Sequence, residues 1–134
     1  MKYPRHVAII ADGNRTRAEN QGLTPMDGHF QGAKHTLDIL AYLFEHTPID
    51  VFTGRFLSTE NMINRSPDEV AFICNIYVSI GDDIDWILEK YHVNFRWVGN
   101  AAGLPEGFSH YLNEKAKKYT YTDSPKMIVL AINY

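Results

Sequence analysis

An acid, a glycine, an amide and a base stand together near the N-terminus, directly after an apolar run. They are Asp12, Gly13, Asn14 and Arg15, and the run is Val7–Ala11. Asp-Gly-Asn alone is typical of a tight turn, because these residues tolerate left-handed backbone conformations. Glycine also lets the backbone approach a diphosphate, and arginine matches phosphate geometry. A lone carboxylate such as Asp12 can hold Mg²⁺ when substrate phosphates and water complete its coordination.

A second candidate is Gly28-His29, which lies near the start of a predicted helix with Thr24 as an upstream cap. Helix N-termini attract anions through unpaired N–H groups and the helix dipole. His29 could therefore donate to a phosphate, and an exposed first-turn histidine is the equally weighted alternative. The other histidines of the sequence show no metal-ligand spacing.

A third candidate is the polar run Ser58-Thr59-Glu60-Asn61, which follows a predicted strand. It could be a loop with capping residues, but Ser66 already supplies a cap for the next helix. Polar loop residues that are not needed as caps are stronger site candidates than most. Arg65 could reach the same crevice, with a solvated surface arginine as the alternative.

Four short apolar runs predict the strands that position these groups: Val7–Ala11, Val51–Phe56, Val93–Val98 and Met127–Ile132. The first does not alternate, which predicts a strand buried on both faces. Val93–Val98 alternates and is expected nearer a sheet edge.

Three helical patterns separate the strands. The first carries one apolar stripe and stops at Thr47-Pro48. The second keeps its stripe from Val70 to Tyr91, about six turns, and Glu69 is expected to complete a capping box with Ser66. The third runs from about Pro105 to Tyr119. The apolar faces are expected to form the core, with a hydrocarbon tunnel as the alternative.

The order β-α-β-α-β-α-β requires parallel strands joined by right-handed crossovers. We therefore predict an α/β fold, a layered and mainly parallel β-sheet with flanking helices, in one domain over residues 1–134. In such sheets, ligands bind beyond the carboxyl ends of the strands, which is where the polar candidates stand.

Composition restricts the class of protein. A net charge of −3 and a pI near 6.0 argue against a nucleic-acid binder. The only cysteine, Cys74, excludes an internal disulfide and is expected to be a core thiol. No stretch approaches the roughly 18 apolar residues that cross a bilayer, and no signal-peptide layout is present. We expect a cytoplasmic protein.

Several segments, in the same order over the whole chain, carry a resemblance to a known family. They are His6–Arg15, Gly28-His29 with Gly32, Leu57–Asn61, Asn64–Pro67, Val98–Asn100 with Leu104-Pro105, and Leu130–Tyr134. This pattern resembles the undecaprenyl diphosphate synthases, which are cis-prenyltransferases, and implies the fold of that family.

The resemblance implies a role for each matching residue. Asp12 would be the essential acid that holds Mg²⁺ and helps the allylic diphosphate to depart, and Asn61 would assist proton removal. The residues that would bind or position substrates are Gly13, Asn14, Arg15, Thr16, Arg17, His29, Ser58, Thr59, Glu60 and Arg65. The implied reaction joins isopentenyl diphosphate to an allylic prenyl diphosphate with a new cis double bond.

The chain also departs from the family pattern. Thr16-Arg17 stands where the family usually has Arg-Trp, Pro25 where an arginine is expected, and Met62 where a tryptophan is expected. The chain ends at Tyr134, whereas the family continues with a part that carries the groups for isopentenyl diphosphate. We therefore expect the N-terminal portion, holding mainly the allylic site. A full-length version is expected to form a homodimer and to associate peripherally with membranes through its lipid product.

Two other functions stay open. One is a non-catalytic subunit of this fold, which Thr16-Arg17 favours and which intact Asp12 and Asn14 disfavour. The other is a generic phosphate-binding α/β domain, such as a phosphatase. That domain would need a second nearby carboxylate or a nucleophile motif, and neither is evident in the sequence.

Overall fold

The computed structural model describes residues 2–134, which form four strands and six helices. In chain order the elements are β1 (His6–Ile10), α1 (Asn14–Asn20), α2 (Pro25–His46), β2 (Val51–Leu57), α3 (Thr59–Asn64), α4 (Pro67–Ser79), α5 (Gly81–Lys90), β3 (Asn94–Val98), α6 (Phe108–Lys118) and β4 (Met127–Ile132).

The four strands form one parallel sheet in the order β1-β2-β4-β3. This confirms the predicted α/β fold, in which each parallel connection contains at least one helix. β3 lies at a sheet edge, as its alternating pattern predicted. β1 and β2 are parallel neighbours, so both strands end at the same edge of the sheet. The polar segments that follow them therefore start from neighbouring points.

β1 lies at the other edge, so the prediction that it is buried on both faces was wrong. Its residues are exposed or half-buried in alternation, and Ile10 is 62% exposed. β1 pairs with β2 alone within the described chain, and an edge strand keeps one side of its backbone unpaired. The apolar run therefore identified a strand correctly but not its surroundings.

The predicted six-turn helix is divided into α4 and α5, which is a second correction. The break falls at Ile80, and α5 begins at Gly81. Glycine is a weak helix former, and here its missing side chain makes room for the hydroxyl group of Tyr111. The hydrophobic stripe continues across the break, which is why periodicity alone joined the two helices.

Two short helices, α1 and α3, were not predicted. Both are polar and short, with seven and six residues. Such a segment has too few turns to show an apolar period. The start of α2 was predicted well, since Thr24 accepts a hydrogen bond from the backbone N–H of Asp27 and is its N-cap.

The long helices pack on the sheet around one apolar core. Its members in and next to the helices include Leu40, Phe44, Val70, Ile73, Ile87, Phe108, Leu112 and Tyr119. Cys74 is also buried, and burial raises the pKa of its thiol to about 11. This confirms a core thiol, because a nucleophile would need a lowered pKa.

Replacing Leu88 with alanine tests this core. Leu88 is fully buried in α5, so Leu88→Ala removes packing and leaves a cavity, and we expect a loss of about 3 kcal/mol in the free energy of unfolding. Leu23→Ala is the matched control, because Leu23 is 38% exposed and its truncation should cost less than about 1 kcal/mol. Urea denaturation measures both; equal losses would contradict the packing described here.

Candidate active site

A cavity of about 410 Å³ opens where β1 ends and extends between the helices and the sheet. This volume is within the usual range for small-molecule sites. Its polar lining comes from Asp12, Asn14, Arg15, Thr16, Glu19, His29, Thr36 and Arg65. Its apolar lining comes from Ala33, Leu37, Leu40, Phe52, Phe56, Ile73, Ile76, Tyr77, Ile80, Ile84, Phe95, Ile128 and Leu130. Helix faces predicted as core therefore also wall a cavity, and the alternative that it is a hydrocarbon tunnel stays a prediction.

Asp12, Gly13 and Asn14 form a turn that borders the cavity. Gly13 has a φ angle of 79°, a left-handed conformation that favours glycine, and its N–H donates to Oδ1 of Asp12 at 2.7 Å. Helix α1 begins at the next residue. The turn interpretation is thus confirmed, and the same turn places the Asp12 carboxylate at the polar end of the cavity.

Asn14 explains the spacing of the two glycines in Gly-His-x-x-Gly. A Cβ atom on Gly28 would overlap the carbonyl oxygen of Asn14, and one on Gly32 would lie 2.6 Å from its Nδ2 atom. Residues four apart lie on one face of a helix. The glycines therefore form a surface on α2 against which α1 packs closely. His29 lies between the two glycines in the sequence.

Three basic side chains meet around one carboxylate, that of Glu69. Its Oε1 atom lies 2.8 Å from Nε2 of His29, and it lies 3.8 Å from Nε of Arg15 and from Nε of Arg65. A carboxylate can only accept, so Nε2 of His29 donates. Glu69 is 8% exposed, so these charges interact in a poorly solvated region.

The surrounding charges decide the ionisation of this cluster. Burial by itself raises the pKa of Glu69, but the hydrogen bond from His29 and the positive charges of Arg15 and Arg65 outweigh burial and lower it. Burial lowers the pKa of Arg65, opposed by attraction to Glu69, and arginine nonetheless stays protonated. Glu69 is therefore an anion and Arg65 a cation at neutral pH.

The guanidinium groups retain unused donors. Within residues 2–134 neither Arg15 nor Arg65 donates a side-chain hydrogen bond, although only 17% of the Arg65 side chain is exposed. Arginine N–H groups match the oxygens of phosphate in pairs. Half-buried donors without protein acceptors, at the polar end of a cavity, have the chemistry to bind an anion.

Glu69 is the site residue that the sequence did not reveal. It was expected to complete a capping box with Ser66, and only half of that box forms. Ser66 Oγ accepts from the backbone N–H of Glu69 at 3.1 Å, whereas the Glu69 carboxylate contacts the cations instead. A Glu at the third helical position looks the same in sequence in either case.

The structure does not bring Ser58–Asn61 into the cavity. Ser58 is the N-cap of α3: its Oγ accepts from the backbone N–H of Asn61, and Oδ1 of Asn61 accepts from the backbone N–H of Ser58, both at 3.1 Å. The expectation that these residues are not needed as caps was therefore wrong. Among the described residues, the cavity lining includes neither Arg17 nor any of Ser58, Thr59, Glu60 and Asn61.

The described residues show neither a preformed metal cluster nor a membrane-spanning segment. No group of three or more His, Cys, Asp or Glu side chains between residues 2 and 134 is arranged to hold a metal ion. None of the helices in the same range combines the length and apolar character needed to cross a bilayer.

Comparison with known proteins identifies the family. A family model for undecaprenyl diphosphate synthase matches residues 10–134. The chain belongs to this family. An isoprenyl transferase of Thermotoga maritima is 34% identical over the whole chain and 56% of its own length. Dehydrodolichyl diphosphate synthase 2 of Arabidopsis thaliana is 31% identical over 98% of the chain and 41% of its own length.

A solved structure of the same family shares the fold. Lavandulyl diphosphate synthase from Lavandula x intermedia, in complex with dimethylallyl diphosphate, matches with a TM-score of 0.88 and 28% identity. The match covers 98% of this chain and 55% of that protein. The chain thus spans about half the length of the family members that it matches.

Substituting Gly32 tests the contact that positions the Asp12 turn. Alanine at an ordinary helical glycine stabilises by up to about 1 kcal/mol, but here the methyl group would collide with Asn14. We expect Gly32→Ala to destabilise by about 1–2 kcal/mol in urea denaturation. In an Asn14→Ala background the same change should be neutral or stabilising. A stabilising Gly32→Ala in the natural background would contradict the contact.

Proposed function

We propose that this chain carries the allylic diphosphate site of a cis-prenyltransferase. The reaction condenses isopentenyl diphosphate with an allylic diphosphate to form a cis-polyprenyl diphosphate. The observation that carries the proposal is the cluster of Arg15, His29 and Arg65 at the polar end of an apolar cavity. An allylic diphosphate has the matching form, an anionic head on a hydrocarbon chain.

Each end of the cavity would act on one part of that substrate. Arg15 and Arg65 would donate to the diphosphate oxygens, and His29 would contact the same group. The prenyl chain would lie among the apolar side chains, which exclude water from the reacting carbon. When the bond from carbon to diphosphate breaks, negative charge grows on the leaving group, and donors already aimed at it stabilise that charge.

Asp12 fits a role in binding Mg²⁺. One of its oxygens accepts from the N–H of Gly13, and the other makes no hydrogen bond within residues 2–134. Proteins often bind Mg²⁺ through one or two carboxylates, with substrate phosphates and water as the other ligands. A single carboxylate beside a diphosphate site meets this requirement. A bound Mg²⁺ would supply further neutralisation of the leaving diphosphate.

The groups expected to act on isopentenyl diphosphate remain predictions. Ser58 and Asn61 hold each other in the capping box of α3, so a role for Asn61 in proton removal requires that its carbonyl oxygen leave Ser58. We therefore propose that the chain by itself binds the allylic substrate and condenses nothing at a useful rate. Homodimer formation, contact with membranes through the lipid product and a cytoplasmic location are proposals for a longer form of the protein.

Calorimetry with dimethylallyl diphosphate and a ten-carbon allylic diphosphate tests the substrate class. Each buried CH₂ group contributes about 0.8 kcal/mol, so we expect the longer ligand to bind the chain at least about tenfold more tightly. Inorganic diphosphate should bind more weakly than either. A generic phosphate site would contradict the proposal by binding all three ligands equally.

A comparison with and without Mg²⁺ tests Asp12. We expect Mg²⁺ to increase the affinity of the unmodified chain for dimethylallyl diphosphate, and we expect Asp12→Asn to abolish this increase. Asp82→Asn is the matched control, because Asp82 is exposed in the first turn of α5, and it should keep the full effect of Mg²⁺. An undiminished effect in Asp12→Asn would remove Asp12 from metal binding.

Incubation with labelled isopentenyl diphosphate tests whether the chain alone can condense the two substrates. With an allylic diphosphate and Mg²⁺ present, lipid extraction should recover no elongated prenyl product. Elongated product from this chain alone would contradict the proposal that the chain binds the allylic substrate but does not condense it.

A further inference from the structure

A buried carboxylate beside a site for an anion is unexpected on electrostatic grounds. Glu69 is 8% exposed and contacts Arg15, His29 and Arg65, the same basic side chains that would bind the diphosphate. A negative charge near a bound anion disfavours binding. The position of Glu69 therefore has to be explained by its effect on Arg15, His29 and Arg65.

The start of α4 does not supply that explanation. α3 begins with a complete capping box, in which Asn61 returns its side chain to the backbone N–H of Ser58. In α4 the cap Ser66 accepts from Glu69, but Glu69 does not return its carboxylate to the backbone of Ser66. The Glu69 carboxylate therefore makes no capping contact and lies next to Arg15, His29 and Arg65 instead.

A single oxygen atom of Glu69 joins three segments of the chain. Oε1 contacts Arg15 from α1, His29 from α2 and Arg65 from the residue pair before α4. In the part of the chain that the structure describes, the cavity lining includes these three residues but not Glu69. Glu69 therefore holds the cations from outside the cavity wall and leaves their other donors to a ligand.

We infer that Glu69 is a positioning residue, which holds Arg15, His29 and Arg65 together so that their remaining donors meet on one diphosphate group. The inference rests on the proposed function of this cavity. Contact at Nε leaves the terminal nitrogens of each arginine for paired hydrogen bonds to phosphate. Donation from Nε2 to Glu69 leaves Nδ1 as the nitrogen through which a protonated His29 can contact the ligand.

Removing the charge of Glu69 has two opposed effects. It deletes a negative charge near the ligand, which favours binding. It also frees His29 and the two arginines, which repel each other, and the ordering of these side chains would then cost binding free energy. We expect the second effect to dominate, because the cations that surround Glu69 already offset its charge as seen by a ligand.

Calorimetry with inorganic diphosphate tests this inference. Glu69→Gln keeps the size of the side chain and an acceptor for His29 but removes the charge, and we expect affinity to fall about tenfold, as with other carboxylates that orient ligating groups. Asp68→Asn is the matched control, because it removes an exposed acid from the same helical turn. We expect it to change affinity by less than about twofold.

Unchanged or tighter binding of inorganic diphosphate by Glu69→Gln would overturn the positioning role while leaving the proposed function intact. A failure of the unmodified chain to bind inorganic diphosphate would overturn the proposed function and the positioning role with it.

A measurement on the unmodified chain covers the case in which Glu69→Gln does not fold. Nitrogen NMR of the His29 ring should show a proton on Nε2 in the free chain, and addition of inorganic diphosphate should shift Nδ1 most. An unprotonated Nε2 in the free chain, or a ligand shift on Nε2 with none on Nδ1, would overturn the role of Glu69.

Discussion

The close approach of α1 to the glycine face of α2 is the constraint on which the site depends. Asn14 occupies the space that side chains on Gly28 and Gly32 would fill, so the turn before it is held at the start of α2. That contact brings Asp12 to the cavity that His29 also lines. A larger residue on either side would move the turn and separate the acid from the bases.

The electrostatics of the cluster favour binding over stability. Arg65 is mostly buried yet donates no side-chain hydrogen bond within residues 2–134, and such donors cost folding free energy unless a partner satisfies them. Glu69 offsets part of the charge through an ion pair without occupying those donors. A bound diphosphate would accept hydrogen bonds from the guanidinium donors that have no protein acceptor. Ligand binding should therefore also stabilise the fold.

The sequence predicted the sheet and the polar residues after β1 well, because buried strands and long helices leave periodic apolar patterns. It did not predict the exposure of β1, since the pattern of one strand contains no information about its neighbours. It joined α4 to α5 because the apolar stripe crosses Gly81 without interruption. The role of Glu69 could not be predicted, because two of its partners, Arg15 and His29, are distant in sequence and a local capping motif already accounted for it.

The central claim, that the cations around Glu69 bind the diphosphate of an allylic substrate, is tested most directly by a crystal structure of the chain with a non-hydrolysable allylic diphosphate. We predict phosphate oxygens within hydrogen-bonding distance of Arg15, His29 and Arg65, with the hydrocarbon among the apolar residues of α2 and α4. A ligand bound elsewhere, or a diphosphate in contact with none of these cations, would contradict the claim.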